Sequence, residues 1–139
     1  MKNVITYGTF DLFHIGHLRL LERARSLGDR LIVGVSTDDF NAEKGKKTAI
    51  PFDERRNIVA SLRCVDAAIP EQCWDQKRLD IADHEISILV MGDDWEGKFD
   101  YLNDICDVVY LSRTDGISTT YLKQYIASSH LNLEDESIS

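Results

Sequence analysis

Two histidines, His14 and His17, stand three residues apart with Gly16 between them. On the first turn of a helix that spacing points both imidazoles the same way. A helix start also presents free N–H groups and the positive end of its dipole, so the place suits an anion. Gly16 has no side chain to block a phosphate, and two imidazoles could donate hydrogen bonds to its oxygens. Two other readings remain, a zinc pair and core histidines; zinc would need a third ligand at matching spacing, and none is evident. Gly8-Thr9-Phe10-Asp11 precedes the pair and itself follows an apolar run, the context that gives such a motif weight.

Three further segments carry unusual chemistry. In Arg113-Thr114-Asp115-Gly116-Ile117-Ser118-Thr119-Thr120, Ser118 and Thr119 would sit at a helix start, where hydroxyls and backbone N–H groups hold phosphate oxygens. Arg113 can grip phosphate with its fork of donors, and Gly116 permits a tight turn. A plain N-cap beside a surface arginine is the alternative. In Met91-Gly92-Asp93-Asp94-Trp95-Glu96-Gly97, a carboxylate can accept a hydrogen bond from an amino group of a ligand. Asp94 is the candidate, with backbone groups such as Gly92 helping. Paired acids could instead bind magnesium, Asp93 could be only a cap, and Trp95 reads best as core filler. Residues 36–47 place Lys44, Lys46 and Lys47 on a loop leaving a strand, either a solvated face or a phosphate clamp. Arg55, Arg63, Trp74 and Lys77 are weaker candidates.

These segments need a scaffold that brings them to one edge. Apolar runs at 4–7, 31–35, 65–69, 86–91 and 108–111 read as strands, the third ended by Pro70. Leu18, Leu20, Leu21, Ala24 and Leu27 recur at helical spacing, with Gly28 as a C-cap. Residues 38–50 read as a loop. Pro51 suits the first turn of a helix whose apolar face is Ile58, Val59 and Leu62. Residues 75–84, 98–105 and 119–128 read as helices, the last with Ser118 as N-cap. Strands alternating with helices imply an α/β fold with a parallel sheet covered on both faces. Ligands then bind beyond the carboxyl ends of the strands, at the topological switch point, which is where the four segments fall.

The chain has 139 residues, 43% apolar and 29% charged, which predicts one domain over 1–128 and an acidic tail over 129–139. A net charge of −8 argues against general nucleic-acid affinity, yet half of the 16 cationic residues lie at Lys44, Lys46, Lys47, Arg55, Arg56, Arg63, Lys77 and Arg113. Such a local excess suits a small anion. Cys64, Cys73 and Cys106 show no CxxC spacing, so neither a disulfide framework nor a structural zinc site is indicated. No signal-peptide run and no apolar stretch of membrane-spanning length occurs, so the expected place is the cytoplasm, with no membrane partner.

Thr6-Tyr7-Gly8-Thr9-Phe10-Asp11 followed by His14-Ile15-Gly16-His17 resembles the signature of the HxGH nucleotidyltransferase superfamily. The 113–120 string resembles the RTxGISTT signature of its cytidylyltransferase branch. Gly92-Asp93-Asp94-Trp95-Glu96-Gly97 resembles the GDDWEG of glycerol-3-phosphate cytidylyltransferases. The resemblance covers residues 2–127. It departs at Ile15, where the pattern carries Trp, and at Ala67, where the string resembling RxVDE carries Glu. It implies a Rossmann-like, doubly wound parallel sheet in three αβα layers. It further implies transfer from CTP to glycerol 3-phosphate, giving CDP-glycerol and pyrophosphate, with Mg2+ on the nucleotide and a homodimer. The product would feed glycerol-phosphate polymers (teichoic acids) of bacterial surfaces.

The resemblance also assigns residues. His14, His17, Lys44, Lys46 and Arg113 would be catalytic. Thr9, Phe10, Gly92, Asp94, Thr114, Ser118, Thr119 and Thr120 would join them around the nucleotide. Lys44, Lys77, Arg55, Arg63 and Trp74 would face the acceptor. Other expected possibilities are cytidylyl transfer to ethanolamine phosphate, choline phosphate or a longer polyol phosphate, and adenylyl transfer. An ammonium-bearing acceptor should want acids or an aromatic cage, against which the lysines speak.

Overall fold

A computed structural model describes residues 1–112 and 119–128. Five strands, β1 (Asn3–Gly8), β2 (Arg30–Ser36), β3 (Ala67–Glu71), β4 (Ile86–Gly92) and β5 (Asp107–Leu111), form one parallel sheet in the order β3-β2-β1-β4-β5. The strands are near-continuous apolar runs because both faces are covered. On one face Val4, Val33, Val35 and Val90 pack with Leu21 and Ala24 of α1 (Ile15–Arg25) and Val59 of α3 (Phe52–Ala60). On the other, Ile5, Tyr7, Ile32, Leu89 and Met91 pack with Ile81 of α4 (Gln76–Asp83) and with Phe99 and Leu102. Successive residues of one strand therefore serve opposite cores, as the two-residue strand period requires. The last helix, α5, runs over Thr119–Ser128.

The order reverses at β1, whose neighbours β2 and β4 lead in opposite directions along the sheet. A crevice opens at such a switch point, beyond the carboxyl ends of the strands. Strands β1 and β4 both end in glycine there, Gly8 and Gly92. A Cβ on Gly8 would come within 2.8 Å of the Phe10 ring, so this glycine lets the chain fold back at once over the strand end.

Several local expectations are corrected. Residues 38–50 are not all loop: α2 spans Asp38–Glu43, capped by the Thr37 hydroxyl, which accepts from Phe40 N at 3.2 Å. Six residues are too few to display a helical period, so only the cap and the acids behind it could have revealed it. Strand β3 runs through Pro70 instead of stopping at it. Among the described residues it is an edge strand paired only with β2, where a missing N–H costs no ladder bond. Helix α1 ends with Ser26 as its cap, and Gly28 is needed for another reason: a Cβ there would meet the Lys2 carbonyl oxygen at 2.6 Å. Pro51 stands just outside α3, whose first N–H, on Phe52, donates to Asp38 at 3.1 Å. Residues 98–105 hold only a short 3-10 turn, Asp100–Leu102, and another covers Asp93–Trp95. The Ser118 cap and the tail 129–139 lie outside the described residues.

Arg55 ties the carboxyl-end loops together. Only 1% exposed, it donates from Nε to Ile50 O at 2.8 Å, from Nη1 to Thr9 O at 2.7 Å and Ser36 O at 2.8 Å, and from Nη2 to Asp38 at 2.8 Å. One guanidinium thus joins the segment after β1, the end of β2, the start of α2 and the approach to α3. Arg55→Met would keep the bulk and strand three carbonyls, so we expect a loss of at least about 3 kcal/mol. Chemical denaturation checks this; an unchanged midpoint would show that the loops hold themselves.

Candidate active site

The crevice holds a cavity of ≈ 570 Å³ whose walls include Gly8, His14, His17, Lys46, Asp94 and Thr119. Segments distant in sequence meet here because β1, β4 and β5 end side by side and α1 and α5 begin beside them. The chain reaches α1 through two non-glycine residues in the left-handed region, Phe10 (φ 55°) and Leu12 (φ 49°). Such conformations persist only where surroundings enforce them. Here Phe10 is buried against the His17 ring at 5.4 Å, and the next residue is anchored four times over.

That residue is Asp11, 3% exposed. Its carboxylate accepts from Leu12 N at 3.1 Å, Ala49 N at 2.8 Å and Ile50 N at 3.0 Å, and pairs with Lys123 at 3.1 Å. Its own carbonyl accepts from the Thr119 hydroxyl at 2.9 Å. Burial alone would raise its pKa, but the Ala49 N–H, Lys123 and the Ile50 N–H outweigh burial and hold it below the usual range. Asp11 therefore stays charged and locks the lysine loop and α5 around the cavity.

The two histidines fix each other. His14 is the N-cap of α1 and its Nδ1 accepts from Gly16 N at 3.0 Å; His17 Nδ1 accepts from His14 N at 3.2 Å. With both Nδ1 atoms accepting, the neutral rings must carry their protons on Nε2. The rings stack with centroids 3.9 Å apart. Burial, then the neighbouring His14, depresses the pKa of His17 to about 4; burial also lowers that of His14. His17 Nε2 lies 3.4 Å from Thr119 Oγ1, while His14 Nε2 is a buried donor with no partner among the described residues. The pair is thus two preset Nε2–H donors at a helix N-terminus, a fit for phosphate oxygens. Among the described residues no group of three or more His, Cys, Asp or Glu is placed to hold a metal ion, so the zinc-pair reading gains no further ligand there.

The remaining expected residues divide by position. Lys46, Gly92 and Thr120 line the cavity, and Thr9 also lines it while accepting from Ser36 Oγ at 3.1 Å. Lys44 stands over the Phe40 ring at 4.3 Å and the Trp74 ring at 5.4 Å. Burial lowers its pKa, helped by Lys46 and Lys77 and opposed by Glu71. Trp74 packs against Trp95, a cavity-wall residue, at 5.8 Å. Lys77 is buried behind them, paired with Glu71 at 2.7 Å. Arg55 lies beneath the loops it ties. Arg63 is not brought to the cavity; it borders a separate shallow groove with Glu22, Arg25 and Cys64. Arg113, Thr114 and Ser118 lie outside the described residues. Sequence reasoning missed Asp11 as an anchor, along with Lys123, Ser36, Glu71 and Tyr7. Asp11 stood within the GTFD string and could have been singled out, whereas Lys123 carries no local signal.

The depressed pKa of His17 fixes a stability trend. The unfolded chain takes up the proton near pH 6.5 and the folded chain only near 4, so stability falls as pH drops through that window. Full protonation of the unfolded form alone costs about 3 kcal/mol. We expect His17→Gln to flatten the wild-type loss between pH 6.5 and 4 in denaturant titrations. Equal slopes for both proteins would place the titrating group elsewhere.

The chain resembles known proteins in sequence and in fold. The chain is 60% identical over 127 residues to the glycerol-3-phosphate cytidylyltransferase of Bacillus subtilis (strain 168), covering 91% of this chain and 98% of the relative. It is 54% identical to the protein of the same name in Staphylococcus aureus, covering 89% and 94%. A solved structure of a lipopolysaccharide core biosynthesis protein from Thermoplasma volcanium superposes with a TM-score of 0.71 at 26% identity, over 83% of this chain and 99% of that one. The cytidylyltransferase-like family model matches residues 5–125. On the sheet order, the histidine pair and this near-complete match, the chain belongs to the cytidylyltransferase-like family.

Proposed function

We infer that this chain transfers the cytidylyl group of CTP to glycerol 3-phosphate, releasing pyrophosphate and forming CDP-glycerol. The observation that carries the chemistry is the pair of stacked, neutral imidazoles offering Nε2–H donors at a helix start beside a lysine loop. The names of the relatives at 54% and 60% identity support the nucleotide and the acceptor.

A phosphate oxygen of the acceptor attacks the α-phosphorus of CTP. The new P–O bond forms as the bond to the bridging β-phosphate oxygen breaks, and pyrophosphate leaves with that electron pair. The attacking phosphate is ionised near pH 7, so no side chain need take a proton. The work left to the protein is to align two polyanions and neutralise developing charge. His14 and His17 meet the transferring phosphoryl group through Nε2–H. Thr119, with Arg113 and Ser118, holds the departing pyrophosphate. Lys44 and Lys46 close over the reactants, while Asp94, beside Gly92, accepts from cytosine N4. Magnesium enters as cargo of the triphosphate and screens its charge. We propose further that the enzyme works as a homodimer in the cytoplasm and feeds synthesis of glycerol-phosphate polymers. No helix among the described residues is long and apolar enough to cross a membrane.

The decisive experiment is a matrix of CTP, UTP and ATP against glycerol 3-phosphate, ethanolamine phosphate, choline phosphate and ribitol 5-phosphate, scored by pyrophosphate release. CTP with glycerol 3-phosphate should give the highest kcat/KM; another winning pair overturns the assignment of that substrate. His17→Ala should lower kcat at least about 100-fold in protein that remains folded, because the lost donor acts mainly in the transition state. Near-normal turnover would remove the histidine from the mechanism. Asp94→Asn should relax the preference for CTP over UTP, since uracil offers an acceptor where cytosine offers a donor. An unchanged ratio would shift base recognition to backbone groups.

A further inference from the structure

The ammonium of Lys77 is enclosed by the groups that chemistry would choose for a foreign cation. Glu71 Oε2 accepts from it at 2.7 Å. The rings of Tyr7, Trp74 and Phe99 lie 4.5, 5.2 and 5.1 Å from it, centroid to nitrogen. A carboxylate with three aromatic faces inside about 6 Å is an ammonium cage. Lys77 fills it to 1% exposure. The cage borders the active-site cavity: Tyr7 lines both, and Trp74 packs on the cavity-wall residue Trp95.

The aromatic walls have supports other than their occupant. Tyr7 donates its hydroxyl to Asp80 at 2.8 Å, and Gln76 Nε2 donates to the same carboxylate oxygen at 2.9 Å. Gln76 also bonds Pro70 O and the Cys73 N–H, which fixes the turn carrying Trp74. Gly34 makes room for the Tyr7 ring, because a Cβ there would come within 2.3 Å of it. Phe99 is buried between Trp95 and Tyr101.

We propose that Lys77 is a built-in occupant of an ammonium site, and that by filling it the chain refuses amino-alcohol phosphates as acceptors while admitting phosphates of neutral polyols. The proposal rests on the cytidylyl-transfer reading and concerns how that site chooses its acceptor. An acceptor ammonium approaching this corner finds the cage taken and meets like charge from Lys77. It meets Lys44 as well, which lies 5.4 Å from the same Trp74 ring. A hydroxyl group in the same place suffers neither penalty. Selectivity of this kind comes from repelling the wrong substrate more than from gripping the right one.

Lys77→Ala should open the cage and leave Glu71 as its acid. Ethylammonium chloride should then raise the melting temperature of the variant by at least about 3 °C, while ethanol with sodium chloride at equal ionic strength should not. The ratio of kcat/KM for ethanolamine phosphate over glycerol 3-phosphate should rise at least about tenfold. Wild type should show neither change; Lys77→Met, whose cage stays filled but whose charge is gone, should show no thermal shift and a smaller rise in that ratio than Lys77→Ala. Should the unpaired Glu71 prevent Lys77→Ala from folding, the double variant Lys77→Ala with Glu71→Gln removes both charges and keeps the rings. It should respond to ethylammonium in the same direction and by less. If ethylammonium stabilises the opened variant no more than ethanol does, or if Lys77→Met gains as much as Lys77→Ala, the cage proposal falls. A wild-type enzyme that transfers nothing to glycerol 3-phosphate overturns the function instead, and the thermal shift still decides the cage.

Discussion

The carboxylate of Asp11 is buried where the turn after β1, the lysine loop and α5 converge, and it is a charge the fold must satisfy wholly from within. Three backbone N–H groups and the Lys123 ammonium do so, while the Asp11 carbonyl takes the Thr119 hydroxyl. An unpaired carboxylate at that depth would cost several kcal/mol, so the partners cannot drift apart cheaply. Arg55 works as its cationic counterpart, binding the oxygens of the same loops. Between them the two charges fix the carboxyl edge of the sheet.

On that edge the histidines are set by backbone. Each Nδ1 is committed to an N–H of the helix start, which leaves each Nε2 as donor and forces both rings into one tautomer. Burial keeps them neutral. Neutral donors at a helix N-terminus are well suited to a charge that grows during reaction. They need no counter-ion in the free enzyme and pay no reorganisation when the charge appears.

A molecule of net charge −8 can still receive two polyanions because its cations are sorted by depth. Lys46 lines the cavity, Lys44 lies half-buried over aromatic rings, and Lys77 is ion-paired inside an acid–aromatic cage. Identical side chains thus acquire different work from position alone.

The sequence by itself determined the parallel three-layer fold, because strands buried on both faces must be unbroken apolar runs and helices between them must show their own period. It also determined where chemistry would gather, since the HxGH and GDDWEG strings each follow such a run. Short α2 and the slipped edge strand β3 escaped it; one is too brief to show a period, and the other tolerates Pro70 because no described residue pairs with its outer side. Tertiary structure alone decided the tautomers of His14 and His17, the pairing of Asp11 with Lys123 near the other end of the chain, and the burial of Arg55 and Lys77. Periodicity along a chain reports which face of an element is apolar. Which charge meets which is settled only when packing brings remote segments within hydrogen-bonding distance and removes the water that would otherwise have served each of them.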